Sequence, residues 1–224
     1  MCNGPSLKDV DFKTLNDYDT FGMNLAFRYY FNNNWYPTYF GSFDVLYNRQ
    51  FKEDFRRLIR KSRGKIKDFF FIRKVLQRPH VHTVPTNGEL YTFSEDIDNF
   101  GNGGNTGVNC CQVGICLGYK KIILLGADCN FVEVVDGSSE GDGERLVVGD
   151  QCRDNPNYFC DYYQQSGDVY NKPNVDKYHR PAWESLSSFA KNIGVDIVNC
   201  SSSSTLTCFR KSELYSELEL RGDL

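Results

Sequence analysis

The chain has 224 residues with 26 basic and 29 acidic side chains, which gives a formal net charge of -3. A chain of this length can bury enough apolar surface to fold as a single domain without disulfides or bound metals. The slightly acidic balance provides no long-range attraction for nucleic acid, so we expect no nucleic-acid partner.

Nine cysteines are spread through apolar segments without the spacing of a disulfide framework or a zinc finger, so we interpret them as reduced packing residues. We predict no metal site. The sequence contains neither an apolar run of transmembrane length nor a leader, which favours a cytoplasmic protein. The basic residues in 56–67 fit a solvated helix face, and peripheral membrane contact and a homo-oligomer stay open.

Short apolar runs with intervening helical patterns extend along the whole chain. Residues 20–24, 39–43, 68–72, 121–126 and 195–198 are predicted strands, the fourth having the continuous apolar character of a central parallel strand buried on both faces. Helices are predicted over 49–63, over 108–117 and from Pro181 onward. This alternation predicts an α/β fold with a Rossmann-like, doubly wound, mainly parallel sheet that binds its ligand at the carboxyl ends of the strands.

The predicted domain covers residues 1–224, and two of its parts are irregular. The chain opens on a turn-forming stretch, residues 1–7, with no strand in front of it, so we expect the first strand to be truncated. Residues 132–178 are polar and rich in tyrosine, glycine and asparagine. Loops of this length inside a domain are usually functional, and we interpret this one as a lid.

Two turns have the composition of a ligand-binding loop. In the first, the side chains of Asn3 and Ser6 and the backbone at Gly4 could face a phosphate or ribose, although a plain turn capped by Ser6 fits equally. The second is a glycine-rich loop, 104–107, at the start of a helix, where free amides and the helix dipole favour an anion. It lacks the lysine of a Walker loop and the spacing of a dinucleotide fingerprint.

Two single residues are candidates for chemistry. His179 lies between the tyrosine-rich loop and a helix, where a group that titrates near neutrality could act as a general base, or could merely cap the helix. Asp128 follows a predicted strand and could bind ribose or metal, although the residues alone favour a structural role that bonds loop amides.

These stretches resemble, in the same order along the chain, the sialyltransferases of glycosyltransferase family 42. Residues 3–8 are similar to the family's first signature and residues 21–24 to its second, so the resemblance places Asn3 and Asn24 on the cytidine nucleotide of the donor. Where the family has a third donor asparagine, this chain has residues 41–42, which puts Ser42 at that position. In the family a strand precedes the first signature.

The resemblance continues into the second half of the chain. Residues 105–108 are similar to the loop that holds the donor's carboxylate and phosphate, which implies binding roles for Asn105, Thr106 and Gly107. Residues 118–128, ending in Asp128, give the most specific match. His179 corresponds to the catalytic base, and the tyrosines that assist the departing phosphate are expected among Tyr158, Tyr162 and Tyr163, of which we select the last two.

Residues 154–163 and 197–209 resemble a second group, related to 6-hydroxymethylpterin diphosphokinase and to motility-accessory flagellin glycosyltransferases. Together the resemblances imply a glycosyltransferase-A-like variant of the sialyltransferase type. It would transfer a sugar from a CMP-activated donor to a glycan hydroxyl with inversion and without metal or other cofactor, in surface polysaccharide synthesis. The alternatives are a magnesium-dependent diphosphokinase using Asp128 and Glu133, and a non-catalytic nucleotide-sugar-binding protein.

Overall fold

The computed structural model describes residues 1–132, 138–140, 145–149 and 155–219 as a mixed α/β protein. In chain order its strands are β1 Phe21–Met23, β2 Tyr39–Ser42, β3 Asp68–Phe71, β4 Val81–Thr83, β5 Asn87–Leu90, β6 Gly101–Asn102, β7 Lys121–Leu124, β8 Ser138–Glu140, β9 Arg145–Val148, β10 Val169–Asn171, β11 Asp196–Asn199 and β12 Arg210–Lys211. Its helices are α1 Phe27–Asn33, α2 Val45–Gln50, α3 Lys52–Lys61, α4 Thr106–Cys116, α5 Arg180–Asn192 and α6 Leu214–Glu219.

Two parallel sheets form the framework, one with the order β1-β2-β3-β4 and the other with the order β12-β11-β7. The first residues of the chain lie between them. The Met1 ammonium donates to Phe21 O (2.9 Å), and the Cys2 amide donates to Leu125 O (2.7 Å). Further along, the Gly4 amide donates to Gly126 O (2.9 Å), so residues 2–4 run in the same direction as the residues that follow β7.

Helices cover both faces of the four-stranded sheet, as the alternation of its side chains shows. Phe69 and Phe71 belong to the buried cluster that includes Phe55 of α3, whereas Phe70 packs in the cluster that includes Val113 of α4. Successive side chains of a strand point to opposite faces, so α3 and α4 lie on opposite sides of β3.

The five strands predicted from the sequence are present. The helix predicted over 49–63 is instead two helices, α2 and α3, because the backbone at Phe51 leaves helical geometry (φ -103°, ψ 23°). The prediction that β7 is buried on both faces is not met along the strand, since Lys121 is exposed and Ile122 and Ile123 are half-buried. Among the described residues β7 pairs only with β11, which leaves its other edge beside a cavity.

Part of the predicted lid is regular structure. β8, β9 and β10 form a three-stranded antiparallel sheet, and Phe159, Tyr163 and Tyr170 pack into the main core. Residues 133–137, 141–144 and 150–154 of the predicted lid lie outside the described residues. Among the residues that the structure describes, no helix has the length and apolar character needed to cross a bilayer.

A buried carboxylate fastens α6 to the second sheet and makes stability depend on pH. Glu217 is 2% exposed and pairs with Arg210 (2.6 Å) and Lys121 (2.8 Å). Hydrogen bonds from Arg210 and then from Lys121 lower the pKa of Glu217 far below its ordinary value of 4.5. A pKa lowered by folding stabilises the protein above the unfolded pKa, and this contribution is lost as the pH falls toward the folded pKa.

We therefore expect Glu217→Gln to lower the melting temperature at pH 7, with a difference from the wild type that shrinks steadily below about pH 4.5. Thermal unfolding followed by circular dichroism between pH 3 and pH 7 measures this. Glu184→Gln, at an exposed position on α5, is the matched control and should follow the wild type. A difference independent of pH would show that Glu217 contributes by packing alone.

Candidate functional site

The predicted binding residues converge on the carboxyl ends of the parallel strands. Asn24 directly follows β1, Ser42 ends β2, and Asp128 lies four residues beyond the end of β7. The turn that begins at Asn3 leaves the same edge between β1 and β7. Ligands of open parallel sheets bind outside these strand ends, so the topology brings four of the predicted positions to one place.

Asp128 accepts two hydrogen bonds from Ser6 in the first turn, residues 3–7. The Ser6 amide donates to Asp128 Oδ2 (2.9 Å) and the Ser6 hydroxyl donates to Oδ1 (2.5 Å), and all of these groups are buried. Gly4 permits this close approach, because a Cβ at that position would lie 2.3 Å from Asp128 Oδ2 and 2.6 Å from Gly126 O. Asp128 thus bonds the amide and the hydroxyl of Ser6, whereas Ser6 does not cap the short helix that follows, whose N-cap is Gly4.

Asn48, which was not selected from the sequence, contacts the carboxyl end of β2. The Ser42 hydroxyl donates to Asn24 Oδ1 (2.9 Å), and Asn48 Nδ2 donates to the Ser42 carbonyl and hydroxyl oxygens (both 2.9 Å). Asn24 has a left-handed backbone (φ 50°), which asparagine tolerates better than most residues. Asn48 Oδ1 is buried, and no described residue forms a hydrogen bond with it. The signal that could have identified Asn48 is its place one helical turn after Asp44, the N-cap of α2.

The glycine-rich loop sits at the start of α4. Asn105 caps the helix by accepting from the Val108 amide (3.0 Å). Asn105 Nδ2 is buried, and none of the described residues accepts a hydrogen bond from it. Thr106 is buried in the first turn. A Cβ on Gly107 would lie 2.9 Å from the Trp183 ring, so glycine at this position permits the close packing of α4 against α5.

Tyr163 and Tyr162, predicted together, have different surroundings. Asn3 Nδ2 donates to Tyr163 Oη (2.8 Å), and the Tyr158 ring stacks on Tyr163 with ring centroids 4.1 Å apart. Asn3 Oδ1 is buried and has no hydrogen-bond partner within the described part of the chain. In contrast, Tyr162 Oη accepts from Asn33 Nδ2 (3.0 Å) at the far end of α1, so the structure does not bring Tyr162 to this cluster.

The buried phenols of Tyr47 and Tyr163 are protonated at neutral pH. Burial raises the pKa of Tyr163 and of Tyr47 well above the ordinary value of 10. Beside them, Gln164 Nε2 is buried and has no hydrogen-bond partner in the ranges that the structure describes. A neutral phenol and an amide can each donate a hydrogen bond to an anionic oxygen. Neither Tyr47 nor Gln164 was selected from the sequence.

Arg28 of α1, which was also not selected from the sequence, holds the tyrosine-bearing segment (residues 155–171) against that helix. Its guanidinium forms a bidentate pair with Asp168 (2.5 and 3.0 Å) and donates to the Tyr163 carbonyl (2.7 Å). The two paired side chains are 12% and 8% exposed. Arg28 therefore determines where Tyr163 stands relative to Asn3.

His179 ends a single π-helical turn, Val175–His179, that runs directly into α5. Because α5 leads into the parallel strand β11, its first turn lies at the carboxyl edge of the sheet, next to the glycine-rich loop. A Cβ on Gly104 would lie 3.6 Å from Ala182 Cβ. Burial lowers the pKa of His179 below the ordinary 6.5, so the imidazole is neutral at pH 7 and can accept a proton.

Within the described ranges no group of three or more His, Cys, Asp or Glu side chains is arranged to hold a metal ion, and Glu133 lies outside them. The eight cysteines described are unpaired. A cavity of about 370 Å³ lies between β1 and β7, within the sheet layer.

Comparisons of the chain with protein families, with curated proteins and with solved structures found no match.

Proposed function

We propose that this protein is a glycosyltransferase of the sialyltransferase type, built on a Rossmann-like doubly wound sheet, that binds a CMP-linked acidic sugar at the carboxyl ends of its strands. Four buried side-chain amide atoms have no hydrogen-bond partner among the described residues, and the observation that carries the proposal is three of them, Asn3 Oδ1, Asn48 Oδ1 and Asn105 Nδ2. Native proteins leave few buried polar atoms unpaired, and a bound ligand is one thing that satisfies them. A pyrimidine nucleotide offers both donors and acceptors to such amides.

Two of the three atoms are hydrogen-bond acceptors and one is a donor. Asn3 Oδ1 and Asn48 Oδ1 are acceptors, suited to an exocyclic amine or a ribose hydroxyl, and Asn24 and Ser42 belong to the same network. Asn105 Nδ2 is a donor at the amino terminus of α4, where the helix dipole adds attraction for a phosphate or carboxylate. Ser6, Gly4, Asp128 and Gly107 shape the loops that present these groups.

His179 would take the proton from the acceptor hydroxyl, and the neutral Tyr163 would donate to the departing phosphate. A general base typically contributes 10²- to 10⁴-fold to the rate. With a CMP-sugar donor and a glycan acceptor, we expect His179→Ala to lower kcat about 100-fold or more while CMP affinity is kept. His80→Ala, at the amino end of β4, is the matched control and should retain activity.

The lowered pKa of His179 sets the pH dependence of this activity. The base works in its neutral form, so activity should be constant above about pH 6.5 and fall as the pH drops below the His179 pKa. A kcat profile between pH 5 and pH 8 measures the inflection. If a slow but measurable His179→Gln variant no longer loses activity at low pH, the general base is His179. If its activity still falls at low pH as in the wild type, another group accepts the proton of the acceptor hydroxyl.

Nucleotide binding is tested by thermal shift against CMP, CDP, UDP, GDP and ATP, each with and without magnesium. A ligand at 100 times its dissociation constant adds about 2.7 kcal/mol to stability. We expect stabilisation by CMP that does not require magnesium and that is reduced by Asn3→Ala. Asn192→Ala, exposed at the end of α5, is the matched control. Stabilisation by ATP only with magnesium would replace this proposal with the diphosphokinase, and no shift with any of the five nucleotides would overturn nucleotide binding.

A further inference from the structure

Positive charge is concentrated in one part of the chain. Residues 56–82 contain ten of the 26 basic side chains and one of the 29 acidic side chains. The rest of the chain therefore has 16 basic and 28 acidic side chains. The net charge of -3 thus combines a strongly basic segment with an acidic remainder, and the two parts produce local fields of opposite sign.

The fold gathers most of this basic segment at the amino ends of the parallel strands β2, β3 and β4. Helices α2 and α3 return from the carboxyl end of β2, so the last turn of α3, the connection 62–67 and residues 78–80 all lie at this edge. We name this surface the basic edge, and it consists of Arg60, Lys61, Arg63, Lys65, Lys67 and Arg78. All six residues are exposed, and four of them lie outside α3, so they do not form a single solvated helix face.

The cations of the basic edge have no countercharge from the protein. In the part of the chain that the structure describes, none of the six forms a salt bridge with a carboxylate. Asp68 is the one acidic residue in the segment, and it pairs with His82 (2.8 Å). An anionic partner would therefore contact cations that have no carboxylate to give up.

Aromatic rings lie beside two of these cations. Lys61 Nζ is 5.3 Å from the centre of the Phe31 ring, and Lys65 Nζ is 4.8 Å from the centre of the Tyr36 ring. Both rings are half-buried, and the ammonium groups cover faces on which the bases of a single-stranded nucleic acid would have to stack. Lysine and arginine beside partly exposed aromatic rings are instead typical of the headgroup level of a membrane.

The distribution of charge also favours a bilayer over a nucleic acid. A protein with one basic surface and an acidic remainder turns that surface toward a negative plane. The field of an anionic leaflet falls off within about 8 Å at physiological salt, so it attracts the basic edge and hardly repels carboxylates farther away. A nucleic acid long enough to bind tightly would extend past the six cations and meet the acidic remainder.

We propose that the basic edge is a docking surface for the anionic headgroups of a phospholipid bilayer. The contact is electrostatic, with the lysine and arginine side chains at the headgroups and the rings of Phe31 and Tyr36 behind them. The candidate functional site lies at the carboxyl ends of the strands, so docking leaves that end of the sheet facing away from the bilayer. The inference does not rest on the proposed function.

Sedimentation with lipid vesicles tests the proposal on the full chain. We expect binding to phosphatidylcholine vesicles that contain about 30% phosphatidylserine, and no binding to vesicles of phosphatidylcholine alone. Raising the salt concentration from about 0.05 M to about 0.5 M should lower the partition coefficient by about tenfold or more, because salt screens the attraction. No binding to the anionic vesicles at low salt, or binding that salt does not weaken, would overturn the proposal.

Removal of three cations tests the basic edge itself. In a variant that combines Arg60→Gln, Lys61→Gln and Lys65→Gln, the partition coefficient on anionic vesicles should fall by about tenfold or more. The three side chains are exposed, so the melting temperature should stay near that of the wild type. Unchanged vesicle binding in this variant would overturn the proposal.

A variant with the same loss of charge elsewhere is the matched control. It combines Arg49→Gln, Arg73→Gln and Lys74→Gln, at exposed positions in the segments that follow β2 and β3. Vesicle binding should match the wild type, because these residues lie away from the basic edge. If both triple variants lose binding equally, net charge alone governs the contact and the proposal is wrong.

The two tryptophans of the chain report the orientation of docking without any change of charge. Trp35 is half-buried and follows α1 at the amino ends of the strands, whereas Trp183 is buried in α5. A lipid with a spin label on its headgroup should quench the fluorescence of the vesicle-bound wild type, and Trp35→Phe should abolish this quenching. Absence of quenching in the bound wild type, or quenching that persists in Trp35→Phe, would show that another surface contacts the bilayer and would overturn the proposal.

Nucleic acid is the competing anionic partner, and the same variants identify it. A fluorescent single-stranded oligonucleotide should bind the wild type more weakly than anionic vesicles do at the same salt concentration. Tighter binding of the oligonucleotide that is lost with Arg60→Gln, Lys61→Gln and Lys65→Gln combined would assign the basic edge to nucleic acid and overturn the proposal.

Discussion

Asp168→Asn is expected to lower the free energy of unfolding by about 3 kcal/mol, because it leaves the buried guanidinium of Arg28 without its countercharge. The pair is bidentate, with both side chains nearly buried, and Arg28 also holds the Tyr163 carbonyl at 2.7 Å. The substitution should also loosen residues 155–171, which we would detect as faster limited proteolysis there. Urea unfolding gives the free energy.

Asp176→Asn is the matched control for this substitution. Its carboxylate is 88% exposed and pairs with Arg180 one helical turn away (3.2 Å), so the expected loss is below about 1 kcal/mol. Adding Arg28→Met to Asp168→Asn should recover part of the stability, because no unpaired charge then remains buried. If Asp168→Asn and Asp176→Asn lower the free energy of unfolding equally, the pair of Arg28 and Asp168 does not anchor the tyrosine-bearing segment.

The sequence predicted the parallel framework because its strands carry a local signal. The three consecutive phenylalanines 69–71 and Ile72 form a short apolar run bounded by Asp68 and Arg73, and β3 lies there. The backbone break at Phe51 has no such signal, because the apolar residues on both sides keep helical spacing. The small antiparallel sheet of β8, β9 and β10 was also missed, because its strands are short and lie in polar, glycine-rich sequence.

The candidate site was predictable where it follows strand ends and unpredictable where it depends on distant contacts. Asn3, Asn24 and Ser42 each lie at or beside the end of a strand segment, so their proximity follows from topology. Asn48 joins them only because α2 returns its first turn to Ser42. Likewise, the adjacent residues Tyr162 and Tyr163 look equivalent in sequence, but their side chains point to different parts of the protein, one to Asn33 and the other to Asn3.

Asp128 is the position where the resemblance and the structure lead to different expectations. If its carboxylate holds the first turn, Asp128→Asn should lower the free energy of unfolding by about 2 kcal/mol, because the amide group cannot accept from both the Ser6 amide and the Ser6 hydroxyl. CMP affinity should fall with it, as the turn carrying Asn3 shifts. Asp161→Asn is the matched control, since that carboxylate is 63% exposed and lies 3.7 Å from Lys8.

A double-mutant cycle with Ser6→Ala separates the structural role of Asp128 from a direct contact with ligand. Each single variant removes the bond between the Ser6 hydroxyl and Asp128 Oδ1, which is 2.5 Å long, so the two effects on stability should overlap by about 1 to 2 kcal/mol. A carboxylate that served mainly to bind ribose would behave differently. Asp128→Asn would then leave stability near that of the wild type, weaken CMP binding on its own and show no coupling to Ser6. Chemical unfolding of the four proteins without nucleotide, followed by CMP titration of each, therefore determines which role Asp128 has.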